Sequence, residues 1–512
     1  MVPRYAAVDI GSNSIRMEAA EAVPGQGTRI LASDREVTRL GESVFRTGVV
    51  SEDAMRASCA VLARMAELYR RLDVIGVRAV ATSAIRDTRN QKTFLERGSA
   101  ALGVPIEIIS GREEARLIHL GVESTWPQGD KRALILDIGG GSAEIVAVEQ
   151  GQLREAFSRP LGAVRLNEIF LEDDPPTPRQ LHRMHQFIEG KLSEAVRRLG
   201  RNGWERAIAT SATASAVASA VARLPGAGRE EIDRLRVSTA QVRKLYRKLS
   251  GRDLAGRRKV TGIGPRRAEI IVPGLAVLQD FLDAFGLRGF YYSRAGVREG
   301  IIADLAARNV GAERARLSRE QRREVEQLAR RFGVPLDRAR AVAHMSHLLF
   351  LALQPLHSLP ATYGKLLEAA SYLADVGHYV SSSSHHKHSY YVIANSDLAG
   401  FTERERLTIA ALCRYHRKAL PSAMHAAVQH VPVEERRPLA LMIPLVRLAD
   451  NLVGDEPQQH IDGVACKLQN GQVTLEIRAT GDLDLAEWGA EQAGEAFRLI
   501  YNRPMEVTRA KG

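Results

Sequence analysis

Cysteine, aromatic residues and long apolar runs are all scarce in this sequence, and each scarcity excludes something. Three cysteines, Cys59, Cys413 and Cys466, lie scattered along 512 residues, odd in number and without metal-ligand spacing. They form neither a disulfide framework nor a zinc ligand set, and they suit a reducing compartment. Aromatics make up 5%, too few to supply stacking platforms among the basic residues, so nucleic acid is not an expected partner. No apolar run is long enough to span a bilayer. The chain passes early into the strand-like Tyr5-Ala6-Ala7-Val8, which leaves no room for a signal peptide. A cytoplasmic protein without a membrane partner is expected.

What is present is length and positive charge. A chain of 512 residues should hold about three or four domains. The net charge of +12 favours a polyanionic partner and speeds its encounter. Nucleic acid, anionic lipid and polyphosphate all carry such charge, and net charge does not choose among them.

One internal repeat stands out. Asp9-Ile10-Gly11-Ser12-Asn13-Ser14 recurs, with two glycines substituted, as Asp137-Ile138-Gly139-Gly140-Gly141-Ser142. Each copy follows an apolar run, Tyr5 to Val8 or Ala133 to Leu136, and precedes another that starts at Ile15 or spans Ile145 to Val148. Both read as strand, tight turn, strand. Two copies in one context imply two similar α/β lobes, each opening on a hairpin whose turn carries an aspartate. Between them, helical periodicity over Glu52–Leu72 leads to short strands at Val77–Val80 and Ile106–Ile109, then to a helix near Glu113. Beyond the second copy come a helix near Arg179–Leu199, a strand at Ala207–Thr210 and a Ser/Thr/Ala stretch, Ser211–Ala220.

From Asp304 to Phe332 the chain is helical and rich in arginine, as expected of a salt-bridged solvated segment or a surface that guides a polyanion. The pattern stays helical to about Gly454, and Asn470-Gly471 then signals a hairpin between two apolar alternations, followed by a helix from Leu485. The expected division is 1–125 and 126–305 for the lobes, 306–455 for a helical domain and 456–512 for a small α+β cap.

Both turns suit phosphate, because backbone N–H groups in tight glycine- and serine-rich turns point inward around an anion. Asp9 and Asp137 would repel phosphate unless a cation lay between, so they predict a Mg²⁺ site with oxygen ligands shared among protein, water and substrate. Glu144 follows Asp137 by seven residues, and Arg16 holds the equivalent place after Asp9. One lobe thus offers a carboxylate and the other a cation. Ala81-Thr82-Ser83-Ala84-Ile85-Arg86 resembles a phosphate clamp at a strand end; its plainer reading is a helix start capped by Ser83. Glu113 and Glu114 open another helix, where the helix dipole alone accounts for them.

In this order, DIGSNSIR (9–16), ATSAIRDTRN (81–90), SGREEARLIHLGVEST (110–125), DIGGGSAEIV (137–146), RRAEIIVPG (266–274) and GVREG (296–300) resemble the Ppx/GppA family of exopolyphosphatases and guanosine pentaphosphate phosphohydrolases. The resemblance implies the duplicated fold shared with actin, sugar kinases and Hsp70 ATPase domains. It makes Glu114 the catalytic base, with Glu113 a neighbour of lesser claim. It associates Asp137 and Glu144 with the metal, assisted by Asp9. It gives phosphate binding to Ser12, Asn13, Ser14, Arg16, Ser83, Arg86, Gly139, Gly140, Gly141 and Ser142, and less securely to Arg267. Mg²⁺ is the implied cofactor, with a monovalent cation such as K⁺ as a stimulant, and a homodimer is the implied assembly.

Two departures stand against this pattern. Family members often carry glycines where this chain reads Ala209-Thr210-Ser211-Ala212-Thr213-Ala214, which restricts that loop. The C-terminal stretches LADVGHY, SSSHHKHSYYVIANSDLAGF and CRYHRKAL resemble the HD-like domain of longer members, yet the His-Asp pair reads Ala374-Asp375. His344, His347, His378, His385, His386, His388, His416 and Asp450 remain. The expectation is a domain that binds the anionic chain and helps dimerise, with histidines and arginines facing a channel, rather than a second hydrolase site.

Exopolyphosphatase is therefore the leading expectation, and hydrolysis of guanosine pentaphosphate (pppGpp) the alternative. A polyphosphate or alarmone sensor without turnover would not need intact Glu114, Asp137 and Glu144. A filament-forming actin relative would not need the paired glutamates.

Overall fold

The computed structural model describes residues 2–23, 27–224, 231–310, 316–453, 460–469, 471–480 and 484–509. Two compact units divide the chain, 1–310 and 311–512.

The first unit is built on two mixed sheets. Strands β1 (Arg4–Ile10), β2 (Ile15–Val23), β3 (Gly27–Glu36), β4 (Gly76–Ala81) and β5 (Ile106–Ile108) lie in the order β3-β2-β1-β4-β5. Strands β6 (Ala133–Ile138), β7 (Ala143–Glu149), β8 (Gln152–Arg159), β9 (Arg206–Thr210), β10 (Arg236–Ser238) and β11 (Gly289–Tyr292) lie in the order β8-β7-β6-β9-β11-β10. In each sheet a three-stranded antiparallel meander is extended by strands parallel to its first member. The two sheets thus repeat one plan, with β10 as an added edge. β1 and β6 are buried almost throughout, as strands covered on both faces must be.

Helix starts follow local chemistry. Ser51 accepts from the Ala54 N–H to open Glu52–Arg70, and Thr177 with Gln180 forms a capping box for Pro178–Leu199. The Ser/Thr/Ala stretch is itself a helix, Ser211–Ala222, so the expected loop at 209–214 is a strand end running directly into a helix. The departure from glycine matters most at Ser211, which adopts the left-handed conformation with φ 84°.

One long helix returns across the unit. Val297–Val310 packs on β1, β2 and β4 and against the helix Gly111–Thr125, which itself packs on β7 and β8. The two helices cross almost backbone to backbone: a Cβ on Gly300 would lie 1.8 Å from the Leu117 carbonyl oxygen, and one on Gly121 2.1 Å from that of Gly296. The boundary expected at 305/306 falls inside this returning helix. Beneath the crossing lies a buried ion network. Arg78 meets Asp304, Glu113 and Glu107, Arg116 meets Glu113 and Asp304, and Arg308 meets Asp304.

The second unit is mostly helical. Leu336–Ala352, Thr362–Leu373, Glu403–Tyr415 and Val433–Val453 enclose one apolar core. Its last part adds strands β12 (His460–Gln469), β13 (Gln472–Thr480) and β14 (Met505–Arg509) with the helix Asp484–Tyr501. β12 and β13 pair antiparallel as the hairpin signal implied, although Asn470 lies outside the described residues. These strands do not have a core of their own: Ile461, Val473, Leu475, Ile477 and Phe497 join the core of the helices. His385-His386-Lys387-His388 opens a helix, His385–Ala394, in which His385 and His386 are buried rather than facing solvent. No described helix is long and apolar enough to cross a membrane.

Candidate active site

Strand register sets the cleft of the first unit. In the first hairpin Asp9 pairs across the strands with Arg16, and in the second Asp137 pairs with Glu144. Each turn closes on the same backbone bond, Gly11 N–H to Ser14 O at 3.2 Å and Gly139 N–H to Ser142 O at 2.9 Å. The two turns abut. A Cβ on Gly140 would lie 3.0 Å from the Asn13 nitrogen, and one on Gly141 would lie 2.5 Å from Ser83 Oγ and 2.7 Å from Ser12 Oγ. Only glycine lets the turns approach so closely. Arg165 braces the junction, donating to Gly141 O at 2.8 Å and Ser83 Oγ at 3.0 Å, with its guanidinium 4.0 Å over the Phe45 ring.

The turns open onto a cleft with about 800 Å³ of space, open solvent at its mouth included. Of the residues expected at the site, Asp9, Ser12, Asn13, Ser14, Arg16, Glu114, Asp137, Gly139, Gly140, Gly141, Ser142 and Arg267 line it. Ser83, Arg86 and Glu144 stand behind that lining. Ser83 is the first residue of its helix, Ser83–Asp87, not its cap. The capping is done from the turn after the neighbouring strand β1: Ser12 Oγ accepts from the Ala84 N–H at 3.2 Å. Arg86 donates to the Ile109 carbonyl at 2.8 Å and lies 3.7 Å from Glu114 Oε2. It therefore buttresses the glutamate where a phosphate clamp was expected.

The neighbouring glutamates part company on one helical turn. Ser110 caps the helix by accepting from the Glu113 N–H at 3.1 Å. Successive helical residues project about 100° apart, and the Glu113 carboxylate turns into the ion network with Arg116 and Arg78. Glu114 turns the other way, into the cleft. Its Oε2 is buried and has no hydrogen-bond partner among the described residues.

Carboxylates crowd this space. Burial pushes Asp137 up to about 7; Arg16 opposes that shift, and Asp9 and Glu299 add to it. Glu144 also rises to about 7, through burial and then the charge of Asp137, against a hydrogen bond from Ser158 Oγ at 2.8 Å. Asp9 is raised by burial against Arg16 and Arg298. Glu114 is raised well above the carboxylate range by burial and by Glu144. Buried carboxylates at this density call for a cation, and all-oxygen donors suit Mg²⁺. Asp9, Asp137 and Glu144 are not a closed cage. Among the described residues, the trio whose ligand atoms lie mutually within 4.8 Å is elsewhere, in the second unit. One or two carboxylates with water and substrate oxygens is the usual manner of holding Mg²⁺, so the donors fit.

Thr82 of the expected clamp and Thr210 and Ser211 of the 209–214 segment also line the cleft, together with Tyr292, Arg294, Arg298 and Glu299, which the sequence did not single out. Arg298 and Glu299 lie inside the GVREG motif, and Glu299 accepts from the Gly296 N–H at 2.8 Å. Arg294 carried no signal.

Two like lobes that bring glycine turns and buried carboxylates to one cleft define a class of phosphate-handling α/β proteins. Residues 19–309 match the Ppx/GppA phosphatase family, and residues 321–483 match Ppx/GppA phosphatase domain III. The chain belongs to the Ppx/GppA phosphatase family. Among solved structures, the Ppx/GppA enzyme of Aquifex aeolicus is 28% identical with a TM-score of 0.52, over 59% of this chain and 99% of that one. An exopolyphosphatase-like protein is 28% identical with a TM-score of 0.58, over 60% and 99%. An exopolyphosphatase from Cytophaga hutchinsonii, 23% identical with a TM-score of 0.54 over 59% and 98%, shares the fold.

Proposed function

We propose that this chain is an exopolyphosphatase, hydrolysing the terminal phosphoanhydride bond of inorganic polyphosphate and releasing orthophosphate. The observation that carries this reading is the meeting of both glycine turns with the buried Glu114 carboxylate, braced by Arg86, in one cleft. Exposed N–H groups of the turns, with Arg16, Arg267, Arg294 and Arg298, hold consecutive phosphoryl groups. Mg²⁺, when bound, offsets the charge of the phosphoryl oxygens and of the cleft carboxylates. Once that charge is offset, Glu114 is ionised; held by Arg86, it orients a water toward the terminal phosphorus and accepts its proton. The P–O bond to the bridging oxygen breaks, and that oxygen leaves with the shortened chain. A loose transition state asks little more of the protein than position and charge. The net charge of +12 supports a long polyanion over a compact nucleotide. A cytoplasmic homodimer, and an HD-like second unit that binds the chain, go with this reading.

Two measurements test it. Glu114→Gln should lower kcat by about 10²–10⁴-fold and leave polyphosphate binding intact; full activity in that variant would remove the base assignment. The control is Glu113→Gln, which takes one carboxylate from the buried network while Arg78 and Arg116 keep Asp304, and should cost stability, about 1–3 kcal/mol, rather than the chemical step. Substrate choice is read from kcat/KM for long polyphosphate against pppGpp on one preparation. A ratio of about a hundredfold, some 2.7 kcal/mol of discrimination, is expected for polyphosphate; the reverse ratio makes the chain a nucleotide phosphohydrolase.

A further inference from the structure

The second unit gathers a set of side chains that the cleft chemistry does not use. Asp375 follows the helix Thr362–Leu373, His385 opens the helix His385–Ala394, and His416 follows the helix Glu403–Tyr415. One ligand atom from each lies within 4.8 Å of the others. Both imidazoles are buried, at 2% exposure each.

The hydrogen bonds around them orient these atoms toward a common point. His416 Nδ1 sits 2.7 Å from the Cys413 carbonyl oxygen, an acceptor only, so Nδ1 carries the proton and Nε2 keeps its lone pair. That Nε2 faces His385 Nε2 at 3.3 Å. Arg338 holds Asp375 Oδ2 at 2.8 Å and Asp450 Oδ1 at 2.7 Å. Its grip turns Asp375 Oδ1 toward the histidines, 3.7 Å from His385 Nε2 and 3.7 Å from His378 Nε2. Those separations are too long for hydrogen bonds. They do suit donors around a shared ion: tetrahedral ligands at about 2.0–2.1 Å from a metal stand about 3.3–3.4 Å apart. The nitrogen pair already has that spacing, and Asp375 stands 3.7 Å from His385 Nε2 and within 4.8 Å of His416, so the carboxylate closes by about 1.5 Å or less to complete the set. Fixing one ring nitrogen on a carbonyl and one carboxylate oxygen on an arginine is the support that ligating residues usually receive.

We propose that Asp375, His385 and His416 bind a divalent transition-metal ion of zinc-like preference, leaving a fourth position open beside His378. Two imidazoles with one carboxylate select zinc, cobalt or nickel over magnesium and calcium, which take oxygen ligands. The His378 ring stacks on His385 at 3.8 Å and is partly exposed, so the open position faces either that ring or water. The site belongs to the second unit and differs in donor chemistry from the all-carboxylate cleft of the first.

The test uses the full chain, stripped with a chelator and titrated with Zn²⁺ and Co²⁺. One equivalent of Zn²⁺ should be retained through gel filtration, and X-ray absorption of the bound metal should report two imidazole nitrogens. His385→Ala and His416→Ala should each weaken binding by at least about 100-fold, whereas Asp137→Asn should retain the equivalent. Failure of the wild-type chain to retain Zn²⁺ would mean that the two histidines merely share a proton, and would overturn the proposal. An all-oxygen shell in the wild-type spectrum would overturn it too, even if the histidine variants fail to fold. Equal retention by folded His385→Ala and His416→Ala would do the same.

Discussion

The two hairpin turns of the first unit have one backbone and two electrostatic characters. In both, an aspartate is the last residue but one of the first strand and the turn closes through a glycine N–H onto a serine carbonyl. In the first the residue paired with that aspartate is Arg16; in the second it is Glu144. Position for position, duplication kept the shape and changed the sign. Asp9 therefore has a cation directly opposite it, whereas Asp137 and Glu144 face one another as carboxylates and are both pushed up to about 7. The second lobe thus concentrates carboxylates at its turn, and the first lobe supplies fixed positive charge.

Removing each aspartate separately breaks the comparison most severely. Asp137→Asn should lower Mg²⁺-dependent phosphate release by about 10³-fold, the several kcal/mol that metal stabilisation supplies. Asp9→Asn, whose neighbour is already an arginine, should cost nearer tenfold. Equal losses would mean that the two turns share the ion evenly. A smaller effect is expected from Arg16→Gln. Arg16 lowers both Asp9 and Asp137, so its loss should move the acidic limb of the pH–activity profile upward, by about one pH unit or less. An unmoved limb would leave Arg16 a structural role only.

The mildest test sharpens the comparison through stability. Asp137 and Glu144 bind protons more tightly when folded than when unfolded, so between about pH 4 and 7 the native state holds more protons. In chelator, stability should fall as pH rises through that window, and added Mg²⁺ should flatten the fall. Glu113 and Asp304 act in the opposite sense. Their arginine partners hold them below the carboxylate range, so their contribution is present above the unfolded pKa and is lost in stronger acid. Melting temperatures across pH with and without Mg²⁺ check this; a rise with pH in chelator would refute the assignment of metal-demanding carboxylates.

Much of this site was legible in the sequence because it depends on local rules. Glycine spacing, a preceding apolar run and an aspartate define a tight turn wherever they occur, and the repeat announced two lobes. Cross-strand pairing of Asp9 with Arg16 and of Asp137 with Glu144 follows from hairpin register. A helix starting near Glu113 was visible, with its dipole accounting for Glu113 and Glu114 alike. Which of them met solvent space and which met Arg78 and Arg116 was not, since those partners come from β4 and from the same helix one turn on.

By itself, then, the sequence determined the elements, the duplicated turns and the chemistry of their donors, all of which arise from contacts within a few residues. Only the tertiary structure decided that Ser12 caps the helix after β4, that Arg86 braces Glu114 instead of lining the cleft, and that the helix at 297–310 returns to the first sheet. It likewise brought His385 and His416 to 3.3 Å across 31 residues of chain. The physical reason is the same in each case. These contacts are fixed by how glycines let backbones approach and by which buried charges must find partners, and both are settled only when whole faces pack.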